Sequence, residues 1–383
     1  MEQLLLSAEL KMLKRTVRSF VRKDVIAAEQ SEGEAMERLS EEQQSRLQIK
    51  GKQMGLWFPG AKREWGGSGL SLFERVILWE EAVQHRLGFN LPAGGAFGKE
   101  LPVFLKKCTA QQINACVKPA IQTGSGCFVA VWEPGESNNL HALSCRAVKK
   151  GDKWLVDGTK AFVTNAQNAD FGIILVNCVT EINEIKPALF IVPRDQTIGR
   201  EEKRLIEVQS VHQLTFSNYI FGEDMLIGEL GDGIKLIEEW MAEARVLLAS
   251  RCIGIAEKAL ELTMDYVLLR CTRGKRLAEF SAVRSVIAQS SAELKAARCL
   301  VWNAALKLDR NNQDGRQDAA MAKLIATHTA FNIVDSALQF HGGAGFTRDL
   351  PFERWYKELR IAKSDLGSSE TLREDIALAM LKI

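Results

Sequence analysis

Two glycine-bearing segments near the C-terminus hold the residues best suited to chemistry. The first is Gln339-Phe340-His341-Gly342-Gly343-Ala344-Gly345-Phe346. The second is Leu366-Gly367-Ser368-Ser369-Glu370, and Pro351-Phe352-Glu353-Arg354 stands between them. Glycines this dense let backbone amides come close to something flat or anionic. The pattern predicts a helix, a glycine-rich turn, a second helix, and a tight polar turn that opens a last helix. The turns lie about 25 residues apart, one short helix at the usual rise, so they can form two walls of one pocket.

The elements that must position these turns fall into three blocks by hydrophobic period: 1–118, 119–229 and 230–383. In the first, Leu4, Leu5, Leu6, Leu13, Val17, Phe20 and Val21 recur at helical spacing. Gly66-Gly67-Ser68-Gly69 interrupts before a helix predicted over 71–84, with Ser71 as N-cap and Glu74 completing a capping box. The middle block is β-rich. Cys145–Val148 and Trp154–Val156 flank Gly151-Asp152 as a hairpin, and 171–176 and 188–192 read as buried strands. Short connections favour an antiparallel barrel or sandwich. The last block is helical, with an apolar stripe at Val283, Val286, Ile287, Leu294, Ala297, Val301, Ala305 and Leu308. The predicted fold class is mainly α with a small central antiparallel β domain: N-terminal helices, a β barrel or sandwich, and a C-terminal four-helix bundle.

Composition narrows the partners. A chain of 383 residues with 46% hydrophobic and 26% charged residues is ordinary for a globular protein of two or three packed units. A net charge of +2 gives no global field for nucleic acid or an anionic membrane. No apolar run approaches the roughly 18 residues that span a bilayer. The first 23 residues have helical spacing without a signal-peptide core. The eight cysteines are scattered, with no CxxC pair and no Cys/His cluster, so no metal is expected and the thiols read as reduced in a cytoplasmic protein.

Several local patterns, in order along the chain, resemble the acyl-CoA dehydrogenase family of flavoproteins. Pro59 with Trp65-Gly66-Gly67-Ser68-Gly69-Leu70-Ser71 resembles its "PEEYGGxGLS" turn, and Glu133-Pro134-Gly135 its "TEPGAGSD" loop. Gly158-Thr159-Lys160 with Phe162-Val163-Thr164-Asn165 resembles "GxKxWITN". Arg270 before Arg273-Gly274 resembles "RxxFG", and Phe280 begins the following "FQ". The resemblance implies FAD as cofactor and assigns roles by position. Phe162 would lie against the isoalloxazine ring and Thr164 would bond its edge. Arg270 would reach the pyrophosphate of a neighbouring subunit's FAD, with Gln339, Gly342 and Gly343 lining the same phosphates from across the interface. Ser368 and Glu370 would sit near the adenosine half. A monomer would then be incomplete, and a homotetramer or homodimer is expected.

The same resemblance exposes departures. The family's reaction removes an α-proton with a buried carboxylate while a hydride leaves the neighbouring carbon. The two positions that supply this base are Leu366 and Ala244 here, and neither side chain takes a proton. Asp365 and Glu243 each stand one residue earlier and are the candidate catalytic acids. Arg245 and Leu366 are expected to line the substrate. Trp132, the run Glu136-Ser137-Asn138-Asn139, Ala242, Arg273 and Ser281 depart from the pattern as well.

The reading that follows is an FAD-dependent oxidoreductase acting on an acyl thioester. The acyl group would be carried by CoA or by an acyl carrier protein, and it could be a small α-substituted unit of secondary-metabolite biosynthesis. Electrons would pass to an electron-transfer flavoprotein or another acceptor. A flavin-dependent monooxygenase on the same fold and a non-catalytic subunit are the alternatives.

Overall fold

The computed structural model describes residues 6–33, 36–135, 139–140, 142–195, 197–206, 209–312 and 314–382. Helices α1 (Ala8–Phe20), α2 (Ile26–Glu32), α3 (Glu41–Gln53), α4 (Leu72–Ala82) and α5 (Lys118–Thr123) come first. Strands β1 (Cys127–Ala130), β2 (Arg146–Lys150), β3 (Lys153–Val163) and β4 (Phe171–Val179) follow. Then come β5 (Ile185–Pro193), β6 (Gly199–Leu205), β7 (Gln209–Gly222) and β8 (Leu226–Ile227). The rest is helical apart from a hairpin of β9 (Cys271–Thr272) and β10 (Lys275–Arg276). These helices are α6 (Gly233–Leu269), α7 (Ser281–Asp309), α8 (Gly315–His341), α9 (Phe352–Ala362) and α10 (Ser369–Leu381).

Contacts group the chain into two compact units. One holds Met1–Gly55, Leu70–Phe97 and Ala242–Ile383; the other holds Leu56–Gly69 and Gly98–Met241.

In the second unit the strands form a sheet in the order β6-β7-β3-β2-β4-β5-β8, with β1 also paired to β4. Most neighbours run antiparallel, but β1 and β2 both run parallel to β4. They share one edge of it end to end: β1 lies along Phe171–Ile174 and β2 along Asn177–Val179. The segment joining them carries Glu133, so this edge is one strand interrupted by a loop. Short connections elsewhere gave no sign of it. β4 is buried on both faces because two separate cores claim its alternate side chains. Phe171, Ile173 and Leu175 join Trp57, Phe58, Phe104 and Ile121 in one. Ile174, Val176 and Cys178 join Trp154, Phe190 and Phe221 in the other. That double burial explains why 171–176 reads as an unbroken apolar run.

The first unit is helical. Ser71 caps α4, and Glu74 closes the capping box the sequence predicts. Asp309 at the end of α7 accepts from the next free amides, Leu72 N at 2.8 Å and Phe73 N at 2.9 Å. Glycine at 254 lets α6 approach α4 closely, since a Cβ there would meet the Glu80 carbonyl oxygen at 2.2 Å. Buried charges are fully paired at this crossing. Glu80 accepts from Trp302 Nε1 at 2.7 Å and Arg298 Nε at 2.9 Å, and Glu81 from Arg18 Nε at 2.7 Å. Val283, Leu294, Ala297, Val301 and Ala305 of the α7 stripe are buried, whereas Val286 is 36% exposed. Among the described residues no helix is long and apolar enough to cross a membrane, and no group of His, Cys, Asp and Glu could hold a metal.

Candidate active site

In the second unit the residues singled out by sequence converge on the end of β3. Lys160 is fully buried, and its ammonium donates to Glu133 Oε1 at 2.6 Å and to the Val131 carbonyl at 3.0 Å. Glu133 also accepts from Ser144 N at 2.6 Å, Ser144 Oγ at 2.5 Å and Cys145 N at 3.1 Å. The Glu-Pro-Gly loop and the Gly-Thr-Lys strand are therefore one construction. Burial works against the charge on Glu133, but Lys160 and the Ser144 donors outweigh it and hold the carboxyl below its ordinary range. Glu136, Ser137 and Asn138 lie outside the described residues.

Beyond Lys160 the pairing of β3 with β7 slips by a bulge before Val163. Phe162 sits in that bulge at φ +54° and is 64% exposed. A bulky residue in this region is a backbone outlier that persists only when its surroundings enforce it. The enforcement is visible. Asn165, at φ +61°, donates through Nδ2 to the Ser125 carbonyl at 3.0 Å and the Cys127 carbonyl at 3.1 Å. Its Oδ1 accepts from Lys99 Nζ at 2.5 Å, and the same ammonium donates to the Ser125 carbonyl at 2.9 Å. Burial pushes the Lys99 ammonium below its ordinary pKa. Thr164, between the two strained residues, is exposed. The turn thus presents an aromatic face and a hydroxyl outward on a fixed backbone.

In the first unit α8 ends at His341, which stacks on Tyr266 at 4.1 Å and lies 4.6 Å from Phe352. Burial lowers the His341 pKa. The glycines that follow divide into two kinds. A Cβ on Gly345 would meet the Leu338 carbonyl oxygen at 2.8 Å, so that glycine serves packing. Gly342, at φ +56°, and Gly343 would meet nothing within 4 Å, so their backbone stands open. Gln339 and Arg270 are exposed, and Arg270 leads into the β9–β10 hairpin.

The second turn is clamped from behind. Lys323 of α8, fully buried, donates to the carbonyls of Gly367 at 2.7 Å and Lys363 at 3.1 Å. Arg245 Nε donates to the Leu366 carbonyl at 2.9 Å, and its guanidinium lies 3.7 Å from Asp375. Leu366 takes φ +54° and Gly367 φ +105°. Asp365 is exposed on this turn. Ser368 caps α10, accepting from Thr371 N at 3.2 Å. Glu370 is exposed, and its carboxyl is held low by its own backbone amide and by Ser368. Glu243 meets a different environment, since Arg75 donates to it at 2.8 Å from α4.

Lys99 and Lys323 were not singled out in the sequence. A signal for Lys323 was present: it stands on the face of α8 that buries Ala319, Ala322, Ala326 and Ala330. A lysine amid small buried residues needs carbonyl or carboxylate partners.

The acyl-CoA dehydrogenase N-terminal domain matches residues 7–122 and the C-terminal domain residues 231–381. The mitochondrial short-chain specific acyl-CoA dehydrogenase of Bos taurus is 31% identical over 97% of this chain and 90% of its own length. The chain belongs to the acyl-CoA dehydrogenase family. Another relative is the CarC subunit of the caffeyl-CoA reductase–Etf complex of Acetobacterium woodii, 28% identical over 98% of this chain and 99% of its own. The crystal structure of the prolyl acyl carrier protein oxidase AnaB shares the fold. It superposes with a TM-score of 0.85 at 19% identity, covering 99% of this chain and all of its own.

Members of the acyl-CoA dehydrogenase family are FAD flavoproteins, and this chain is an acyl-CoA dehydrogenase-like oxidoreductase. Its residues fit such a cofactor. An aromatic ring is held outward at Phe162 in one unit, and in the other the backbone of Gly342 and Gly343 stands open, with nothing within 4 Å of where a Cβ would be.

Proposed function

We propose that this acyl-CoA dehydrogenase-like chain oxidises an acyl thioester whose α-carbon carries a hydroxyl or amine, delivered on an acyl carrier protein. The observation that carries the reading is the turn 363–368. Its backbone is clamped by Lys323 and Arg245, yet it displays Leu366 with Asp365 beside it. A leucine cannot take the α-proton of a simple fatty acyl group. An α-hydroxyl or α-ammonium group carries its acidic proton in a different place from an α-C–H, so an acid displaced by one residue suits it. AnaB, named for a prolyl carrier protein, has the same fold.

FAD, when bound, supplies the acceptor for the hydride that leaves the substrate carbon. The chain's own residues do the rest in this proposal. Phe162 covers one face of the ring, and Thr164 bonds its edge. Asp365 receives the proton. Leu366 and Arg245 border the acyl group, Leu366 by apolar contact and Arg245 by holding the turn. Glu243 is the weaker candidate for the base because Arg75 already holds its carboxylate. Ser368, Glu370, Gln339, Gly342, Gly343 and Arg270 surround the phosphates and adenosine, the last four in a neighbouring subunit. A homotetramer or homodimer follows. Support comes from large apolar side chains that stand exposed on the single chain: Leu268 at 54%, Leu269 at 81% and Phe346 at 71%. An electron-transfer flavoprotein is the proposed acceptor, as the name of the CarC complex suggests.

The test is the visible spectrum of the purified protein during anaerobic addition of thioesters. Bleaching by an α-amino- or α-hydroxyacyl carrier protein, and not by butyryl-CoA, is the expected result. Bleaching by butyryl-CoA alone would reject the substrate assignment. A colourless protein would reject catalysis altogether.

A further inference from the structure

The turn that carries Leu366 and Asp365 is gripped by its carbonyls, through side-chain donors. Among these, one donor is unusual: a lysine with no exposed surface, whose ammonium reaches two carbonyls four residues apart. We propose that Lys323 is a positioning residue of the active site, whose buried charge fixes the left-handed turn 363–368 and so sets where Asp365 and Leu366 stand. This rests on the reading that the turn borders the reacting carbon.

The Lys363 and Gly367 carbonyls mark the C-terminal end of α9 and the turn beyond it, where the helix dipole leaves negative charge. A cation is the natural partner there. Charge-assisted bonds to it are about twice as strong as those to a neutral amine. Leu366 and Gly367 both take positive φ between these anchors, a conformation an L-residue adopts only under constraint. The same geometry rules out Lys323 as the base, because its nitrogen is sealed behind the turn and already donates to both carbonyls.

The charge is finely poised. Burial lowers the Lys323 pKa, and the facing groups adjust it: Asp365, Cys252 and Glu370 raise it, while Arg245 lowers it further, leaving it at about 8. Above that pH the amine keeps its N–H donors but loses the charge that strengthens them. The carbonyl clamp loosens while the surrounding helices stay packed. A native pKa below the unfolded value means that global stability does not fall through this group between pH 8 and 10. A loss in that range through Lys323 is therefore local to the turn, whereas one through Glu358 of α9, whose carboxyl is pushed up to about 8, is global and shows in the α8 reference peptide as well.

The experiment uses the full-length holoprotein, its Lys323→Met and Lys323→Arg variants, and two readouts. Hydrogen exchange of a peptide covering residues 361–368 reports the turn, with a peptide from the middle of α8 as reference. The rate of anaerobic flavin bleaching between pH 6.5 and 9.5 reports the chemistry. Lys323→Met is expected to speed exchange in the turn at least tenfold with α8 unchanged, and to slow bleaching at least tenfold at saturating thioester. Wild type is expected to lose bleaching rate through pH about 8. Lys323→Arg, permanently charged, should abolish that inflection. A folded Lys323→Met with wild-type protection overturns the proposal, as does a Lys323→Arg that keeps the inflection. Lost protection with unchanged bleaching would instead sink the assignment of this turn to the reacting carbon. If neither variant folds, wild-type protection of the turn decides. It should drop at least fivefold between pH 7 and 9 after correction for intrinsic exchange, and constant protection overturns the proposal.

Discussion

The Phe162–Asn165 turn and the Lys363–Ser368 turn are built alike and equipped differently. Each is anchored by a lysine: Lys99 donates to Asn165 Oδ1 and to the Ser125 carbonyl in one, Lys323 to the Lys363 and Gly367 carbonyls in the other. Each forces a non-glycine side chain into the left-handed region, Phe162 at φ +54° and Leu366 at φ +54°. In the first turn the side chain on display is an aromatic suited to a flavin. In the second it is a half-buried leucine with the exposed Asp365 beside it. The framework that aims a side chain is thus separable from the side chain aimed. A family can keep the first and exchange the second.

Four perturbations would break or sharpen this contrast. The largest effect is expected beside the aromatic turn. Lys160→Met leaves the buried Glu133 carboxylate with its Ser144 and Cys145 donors but without its cation, and removing one partner of a buried pair typically destabilises by about 3–5 kcal/mol. Urea unfolding should show a loss of that order; a change below 1 kcal/mol would mean that β3 does not depend on this pair. Next is Asp365→Asn, expected to slow anaerobic bleaching at least ~100-fold, about 2.7 kcal/mol in the barrier, with flavin content unchanged. An undiminished rate would show that the acid has not moved to this residue.

A smaller effect concerns α9, which leads into the second turn. Glu358 is completely buried, and burial pushes its carboxyl up to about 8 despite Arg354 at 3.0 Å and Asn90 at 3.0 Å. Its folded pKa lies above the unfolded one, so the folded state binds the extra proton. The stability this gives is full below the unfolded pKa and is lost as pH rises through about 8. Glu358→Gln should match wild type near pH 5 and exceed it by at least ~1 kcal/mol at pH 9, since one pKa unit is worth ~1.4 kcal/mol. Denaturant midpoints at both pH values decide it. The smallest effect is Phe162→Gly. Relief of the left-handed strain should stabilise the flavin-free protein by about 1 kcal/mol while flavin retention falls. Calorimetry of the apoprotein, alongside the flavin-to-protein absorbance ratio, reads both halves of that trade.

Much of the framework was legible in sequence because it depends on local rules. Ser71 with Glu74 announced a capping box, Gly151-Asp152 a hairpin, and 171–176 a buried strand. The parallel pairing of β1 and β2 along β4 was not legible. It depends on a strand broken by the Glu133 loop, and turn residues do not encode which edge a strand joins. The candidate site was legible in its displayed residues and opaque in its supports. Phe162 and Thr164 were singled out by a motif, and Asp365 by its place beside a departure from one. The acceptors of Lys323 are main-chain carbonyls, which every residue has, so no pattern of side chains reveals that pairing; Lys99 bonds one such carbonyl and the Asn165 amide oxygen, 66 residues away in sequence.

The last turn also bears on descent. Lys323 and Arg245 grip carbonyl oxygens, and residue 366 contributes to that grip only its main chain. Leucine and glutamate carry the same steric penalty at φ +54°, so exchanging one for the other leaves the loop's shape in place. A lineage could therefore shed or regain its proton acceptor here in one substitution without passing through an unfolded ancestor. The position behaves as a socket that outlasts whatever is plugged into it.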